Sequence, residues 1–169
     1  MFNIGDLVIY GSTGVCKVED LTKPAFPGAP ADRLYYTLAP VYQSGVIYAP
    51  VDTKAFMRAV ISPEELDALL RELPTLHPEG YFNSSVQLLC AHYEQALKEY
   101  TCRDLVVLLR SIRAKKIAME QQNRRLGQID ARYMKRAEDL LYGELAVVLQ
   151  IAPGKVPAYL AAHAAEEIL

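Results

Sequence analysis

The sequence predicts an α+β chain of two domains, a small β-barrel followed by an all-α helical bundle. Short runs of strand-forming residues separated by Gly and Pro fill the first 60 residues, and apolar residues recur at helical spacing afterwards. Charge is sorted in the same way, because residues 101–136 hold ten Lys/Arg against three Asp/Glu in a chain of net charge −2. We therefore expect a barrel at 1–61, a short helix and linker at 62–80, and a helical domain at 81–169.

Five short strands are expected in the first domain. They are residues 7–10, 15–21, 34–38, 45–49 and 56–61, all rich in Val, Ile, Leu and Tyr. Gly11 and Gly14 bracket the first turn, a Pro-rich loop spans residues 24–30, and Pro50 closes the fourth strand. Five short strands in about 60 residues favour a small barrel.

Helix signals begin at Ser62. Ser62 can cap a helix, Pro63 suits its first position, and Glu65 completes a capping box. Pro74 ends that helix near Leu73, and residues 75–80 are expected to form the linker. Later helices are expected from residues 83–85, from Thr101, from residues 126–130 to Pro153, and from Pro157 to Leu169.

Several broad classes of protein do not fit the composition. Spanning a bilayer takes about 20 apolar residues, and no apolar run approaches that length, nor is a signal peptide visible. Cys16, Cys90 and Cys102 are odd in number and widely spaced, which favours buried thiols in a reduced cytoplasmic compartment. We expect a cytoplasmic protein without membrane contact.

The sequence also argues against an enzyme. His77, His92 and His163 are isolated from one another, and neither a zinc pattern nor a phosphate-binding glycine loop is present. Ser84 and Ser85 lack the context of a nucleophile elbow. We expect no catalytic residues, no metal, no cofactor and no small-molecule substrate.

The basic stretch predicts a localised anionic partner, and nucleic acid is the first candidate. Lys and Arg heads held on one surface can neutralise phosphates and release counterions. The candidates for phosphate contact are Arg110, Arg113, Lys115, Lys116, Arg124, Arg125, Arg132, Lys135 and Arg136. Two alternatives remain open, a solvated helix surface with internal ion pairs and an acidic protein as partner.

A protein partner would be met by an exposed strand edge, which can accept a strand from another chain through backbone hydrogen bonds. The candidate is the strand at residues 45–49 with the Pro-rich loop beside it, where Val46, Ile47 and Tyr48 supply apolar contacts. The alternative is that these side chains belong to the barrel core, which must hold for alternate positions.

The chain resembles the CarD/CdnL family of bacterial transcription regulators. The first half of the resemblance is Phe2-Asn3-Ile4-Gly5-Asp6-Leu7-Val8-Ile9-Tyr10 with Gly14, then Tyr35-Tyr36-Thr37-Leu38 and Ala49-Pro50-Val51-Asp52. The second half is Asp104-Leu105 through Arg110, then Leu126, then Ala137-x-x-Leu140-Leu141-x-x-Glu144-Leu145-Ala146. Their order and spacing cover roughly residues 1–150.

The resemblance implies a function as well as a fold. Family members carry a Tudor-like barrel that docks on the β-subunit lobe of RNA polymerase, a module shared with transcription-repair coupling factor. Their helical domain contacts promoter DNA, and they are not enzymes but shift the balance between closed and open promoter complexes. The family places basic side chains near the docking edge, where this chain has Pro24 and Tyr48.

One departure from the family concerns DNA contact. Better-known members insert a Trp into the minor groove, and this chain has no Trp. The resemblance places Leu89 at the Trp position. A Leu can act as an apolar wedge, but Leu89 also lies on the predicted apolar face of its helix, where burial is the competing interpretation.

Overall fold

The computed structural model describes residues 1–23, 27–28, 30 and 32–163. Its contacts divide the chain into two compact units, Met1–Val60 and Ile61–Leu169. The boundary lies one residue from the end predicted for the first domain. The helix and linker expected at 62–80, by contrast, belong to the second unit.

The first unit is an antiparallel sheet. Its strands in the described residues are β1 (Leu7–Tyr10), β2 (Gly14–Thr22), β3 (Tyr35–Pro40), β4 (Ile47–Pro50) and β5 (Met57–Ala59). They lie in the order β4-β3-β2-β1-β5. All five strands were expected from the sequence. Within the described residues no ladder joins β4 to β5, so a closed barrel stays a prediction.

The sheet is held by alternate residues of its strands. Each second side chain of a strand points to the same face, and the buried face collects Val8, Cys16, Val18, Tyr36, Leu38 and Ala49. Burial raises the pKa of the Cys16 thiol to about 11, which keeps it protonated. Gly11 and Gly14 take positive φ angles of 45° and 83° between β1 and β2, a region that favours glycine.

The second unit is helical. Its helices in the described residues are α1 (Pro63–Glu72), α2 (Val86–Ala96), α3 (Cys102–Gln121), α4 (Gln128–Leu149) and α5 (Val156–His163). The Ser62 capping box and the Thr101 cap are both present, as the sequence predicted. The last helix was expected to reach Leu169, and residues 164–169 lie outside the described residues.

One apolar core joins these helices. Its largest fully buried side chains are Leu73, Tyr93, Leu97, Leu105, Leu109, Ile112, Leu141 and Leu145. Helix α1 contributes Leu66 and Leu69 to the same core. At the start of the unit, the buried carboxylate of Glu144 accepts a hydrogen bond of 2.7 Å from the backbone nitrogen of Ile61.

The segment after α1 packs along α3 and is not a free linker. The Arg110 guanidinium donates to the carbonyls of Leu73 and Leu76, and the Ser111 hydroxyl donates to the carbonyl of Glu79 at 2.6 Å. Backbone polar groups in an irregular segment need partners when they leave water, and α3 supplies them here. The linker predicted at residues 75–80 is therefore corrected to a strap on the helical unit.

Among the described helices, no single one is long and apolar enough to cross a membrane. The segments Gln128–Leu149 and Pro153–His163 reach that length only together, and they are bent by 97° at their junction.

Candidate nucleic-acid interface and docking edge

Lys115 does not lie on the predicted phosphate surface. Its residue is 5% exposed, and its ammonium lies 2.9 Å from Oδ1 of Asp130 on α4, which is 3% exposed. An ammonium in the interior requires a partner that offsets the water it loses. The sequence prediction for Lys115 was wrong because helical spacing alone cannot show that a neighbouring helix covers one cation of the basic stretch.

Two aromatic side chains contact the Lys115–Asp130 ion pair. The Tyr93 hydroxyl on α2 donates to the same Oδ1 of Asp130, so three helices meet at one carboxylate oxygen. Burial and the Asp130 carboxylate raise the pKa of Tyr93, which therefore remains a donor. The Lys115 ammonium also lies 5.2 Å from the centre of the Phe82 ring, within cation–π range.

Two glycines leave room for the pair. A Cβ at Gly80 would lie 2.8 Å from Cα of Lys115, closer than real Cβ atoms approach. A Cβ at Gly127 would lie 3.1 Å from Oδ2 of Asp130. The strap and the start of α4 therefore approach the pair at distances that only glycine allows without adjustment.

Three further predicted phosphate contacts make internal contacts. Arg110 binds the strap carbonyls described above. Lys135 pairs with Asp139, and Arg136 binds Glu94 at 2.9 Å and the Tyr100 hydroxyl at 2.9 Å. Because these heads already bind within the unit, a phosphate would have to compete for them.

The Glu94 carboxylate links Arg136 to Tyr133. It accepts a hydrogen bond from the Tyr133 hydroxyl at 2.7 Å as well as from Arg136. The Tyr133 bond, aided by Arg136, holds the pKa of Glu94 below its ordinary value. Burial and Glu94 raise the pKa of Tyr133 to about 12. The group ties α2 to α4 and holds the Arg136 guanidinium in contacts within the unit.

The remaining predicted cations differ in exposure. Arg113 is partly buried, whereas Lys116, Arg124, Arg125 and Arg132 are exposed. Lys116 lies 4.0 Å from Glu120, and the Arg132 guanidinium lies 5.5 Å from the Tyr133 ring. Within the described residues, neither Arg124 nor Arg125 forms an ion pair. These two arginines are therefore part of the exposed basic charge, together with Lys116 and Arg132.

The turn that carries the arginine pair has a defined backbone. Asn123 takes a φ of 54°, and the amides of Asn123 and Arg124 donate to the carbonyls of Glu120 (3.0 Å) and Met119 (2.9 Å). This is the Schellman arrangement that ends a helix on a left-handed residue. Leu126 packs against the helical core, and Gly127 caps α4.

Leu89 is corrected from a possible wedge to a core residue. It is 7% exposed and packs in the helical core with Tyr93 and Leu97. The exposed apolar side chains at this end of the unit are Phe82, Val86 and Leu88. Leu88 and Leu89 are adjacent on α2 and point in different directions, so the sequence already indicates that they cannot both face the core.

The predicted docking strand forms one edge of the sheet. Val46 and Tyr48 are each 51% exposed, while Ile47 packs against the core of the first unit. Pro24 lies outside the described residues. The β3–β4 hairpin adds two exposed apolar side chains, Val41 and Tyr42. The edge strand, its outward side chains and this hairpin supply the parts of a strand-docking surface.

An open cavity of about 440 Å³ lies between the strap and helices α2 and α3. Two of its polar side chains already form hydrogen bonds, because Asp104 accepts from the Thr101 hydroxyl and the Ser111 hydroxyl donates to the Glu79 carbonyl. His92 stacks on Tyr81 with ring centres 3.7 Å apart, and burial together with Lys115 lowers its pKa. In the described part of the chain, no group of three or more His, Cys, Asp or Glu is placed to hold a metal ion.

The first unit is similar to a known family of domains. Residues 2–61 match the family described as CarD-like/TRCF RID domain. This match confirms the resemblance over the five-stranded unit and ends at the unit boundary. Domains of this family bind the β subunit of RNA polymerase and are protein-interaction modules. No curated protein matches the chain.

Proposed function

We propose that this chain is a cytoplasmic transcription regulator that docks on the β-subunit lobe of RNA polymerase and contacts promoter DNA, thereby changing the stability of the open complex. The observation that carries the proposal is the RID-domain match at residues 2–61 on a sheet whose edge strand β4 exposes Tyr48, with Val46 exposed directly before that strand. The exposed cations of the helical unit support the DNA contact.

Docking would combine backbone and side-chain contacts. An edge strand presents backbone N–H and C=O groups that a strand of the partner can pair with. Val46 and Tyr48 would add apolar contact beside that ladder, with Val41 and Tyr42 at the neighbouring hairpin. Ile47 is assigned to the core of the RID domain and is left out of the docking surface.

DNA contact can be weak and still act. Binding of the RID domain raises the effective concentration of the helical unit at the promoter, so that a few phosphate contacts suffice. We expect weak, salt-sensitive and largely sequence-independent binding by the protein alone. Lys115 and Leu89 are left out of the contact because both are buried.

The docking step is tested with the full chain and an immobilised β-subunit lobe. Val46→Glu with Tyr48→Glu places two charges on the exposed edge and is expected to abolish saturable binding. Ile4→Glu is the matched control, since Ile4 is 63% exposed but lies on the turn before β1. Unchanged binding by the edge variant would exclude the β4 edge, and no binding by the unaltered chain would refute the polymerase assignment.

The DNA step is tested on promoter complexes. Arg124→Glu with Arg125→Glu is expected to keep polymerase binding and to remove the effect on open-complex lifetime. Retention of that effect would instead favour a regulator that acts through protein contacts, with an acidic surface as the partner of the basic stretch. The direction of the effect on transcript yield will depend on whether opening or escape limits the promoter.

A further inference from the structure

We propose that the α3–α4 turn, residues 121–128, is the phosphate-contacting tip of the helical unit and that the buried Lys115–Asp130 pair holds it in shape. The inference rests on the DNA contact proposed above and assigns that contact to one surface. It also gives Lys115 a role different from the one its charge suggests. Lys115 is a positioning residue that acts on DNA only through the arginines of the tip.

The first argument is chemical. The tip presents the Arg124 and Arg125 guanidiniums together with the exposed amide side chains of Gln121, Gln122, Asn123 and Gln128. Guanidinium groups match phosphate oxygens in geometry and charge, and amide side chains also donate to the nucleic-acid backbone. Among the described residues of the tip itself, residues 121–128, there is no acidic side chain.

The second argument is that four other cations of the stretch are less available. Arg110, Lys115, Lys135 and Arg136 each bind a carbonyl or a carboxylate within the unit. A phosphate that approached them would have to replace those bonds, whereas Arg124 and Arg125 form no ion pair in the described residues. The exposed Lys116 and Arg132 precede and follow the tip in sequence, so they add to the positive charge around Arg124 and Arg125.

The third argument concerns rigidity. The end of α3 is fixed by the Schellman bonds at Met119 and Glu120, and the far side of the turn is held by Leu126, which packs against the helical core. A surface that is ordered before binding loses less conformational entropy when it meets its ligand. Two adjacent arginines in such a turn can contact DNA at a smaller entropic cost than on a mobile loop.

The Lys115–Asp130 ion pair joins the two helices on either side of the turn. Lys115 lies on α3 before the turn, and Asp130 lies in the first turn of α4 after it. Their 2.9 Å contact, shared with the Tyr93 hydroxyl, fixes the distance between α3 and α4 at the base of the turn. Removing the ammonium would leave Asp130 buried without its cation, and the start of α4 would have to shift to reach water.

The tip is tested by salt titration of duplex DNA of mixed sequence with the full chain. Removing the cation that neutralises one phosphate reduces the magnitude of the slope of log K against log salt by about 0.9. Arg124→Gln with Arg125→Gln is expected to reduce it by about two such steps. Arg71→Gln with Lys98→Gln removes the same charge from exposed sites elsewhere in the unit and is expected to leave the slope nearly unchanged. Equal changes of the salt slope in the two double variants would contradict the proposal that the tip contacts phosphate.

The positioning role is tested by combining variants. Lys115→Met is expected to weaken DNA binding in the unaltered background and to have no further effect once Arg124 and Arg125 are Gln. A further decrease of the salt slope in that background would mean that Lys115 touches phosphate directly, and full DNA affinity of folded Lys115→Met would mean that the pair does not present the tip. Either result overturns the role.

Loss of folding is controlled with a second variant. Lys115→Met with Asp130→Asn removes both charges and keeps a partner for the Tyr93 hydroxyl, so it is expected to fold. If the pair presents the tip, amides at residues 121–128 exchange hydrogen faster in this variant while those of α2 do not. Unchanged exchange at the tip overturns the positioning role, independently of DNA.

Two further outcomes separate the proposals from one another. Polymerase binding through β4 with no loss of promoter effect in the Arg124→Gln, Arg125→Gln variant would overturn the tip and leave the docking step intact. Polyglutamate that binds as tightly as duplex DNA of equal charge would overturn nucleic acid as the partner of the tip.

Discussion

Lys115 and the pair Arg124–Arg125 are nearly identical signals in the sequence, and the structure gives them opposite environments. Each lies in a basic dipeptide of one charged stretch. Lys115 is enclosed by α2, α4 and the strap, whereas the two arginines lie on an exposed turn. A basic stretch can therefore both assemble a fold and present a ligand surface, and neighbouring cations divide these tasks.

The largest expected effect on stability is at the buried Lys115. Lys115→Met should lower the free energy of unfolding by about 3–5 kcal/mol, because the Asp130 carboxylate stays buried without its cation. Urea denaturation followed by far-UV circular dichroism measures it. Lys116→Met alters the adjacent exposed residue and should change stability by less than about 0.5 kcal/mol. Similar values for the two variants would contradict the distinction.

The next effect concerns the glycine that lets the strap reach Lys115. Gly80→Ala should cost about 1–3 kcal/mol, because the added methyl group meets the α3 backbone and the strap must move away. Gly154→Ala is the control, since a Cβ there has no atom within 4 Å. The same denaturation measurement applies to both. A strap that tolerates Ala at residue 80 would show that its contact with α3 is loose.

A smaller effect is expected at the Glu94–Arg136 contact. The pKa of Glu94 in the folded state lies below its unfolded value of about 4.3. Between these two pKa values the folded state therefore binds fewer protons than the unfolded state. Glu94 therefore contributes stability above the unfolded pKa, and this contribution is lost as the pH falls through the folded pKa. Glu94→Gln should flatten the acid side of the stability curve, while Glu99→Gln, a nearby exposed carboxylate, should not.

The smallest effect on stability is expected at the exposed end. Arg124→Gln with Arg125→Gln should change the free energy of unfolding by no more than about 0.5 kcal/mol, because the side chains make no described ion pair. Thermal unfolding of this variant beside the unaltered chain measures it. A large loss would show that the arginines stabilise the turn, and their effect on DNA would then need another explanation.

Much of the architecture was predictable because it depends on local patterns. Five strands, the capped starts of α1 and α3, and the unit boundary near residue 61 follow from side-chain alternation, capping residues and a change of period. The strap at residues 75–80 was not predictable in this way. Its Pro and Gly residues indicate an irregular segment, but only its bonds to Arg110 and Ser111 show that it packs on α3.

Some features of the candidate site were likewise predictable from the sequence, and others were visible only in the structure. The amino-acid sequence was enough to show that positive charge concentrates in residues 101–136 and that a strand near residues 45–49 carries apolar side chains. The packing of the folded chain was needed to show that Lys115 and Leu89 are buried, that Val46 and Tyr48 face outward, and that the Arg124–Arg125 pair stays exposed. Charge and hydrophobicity belong to single residues, whereas burial depends on what distant parts of the chain place against them.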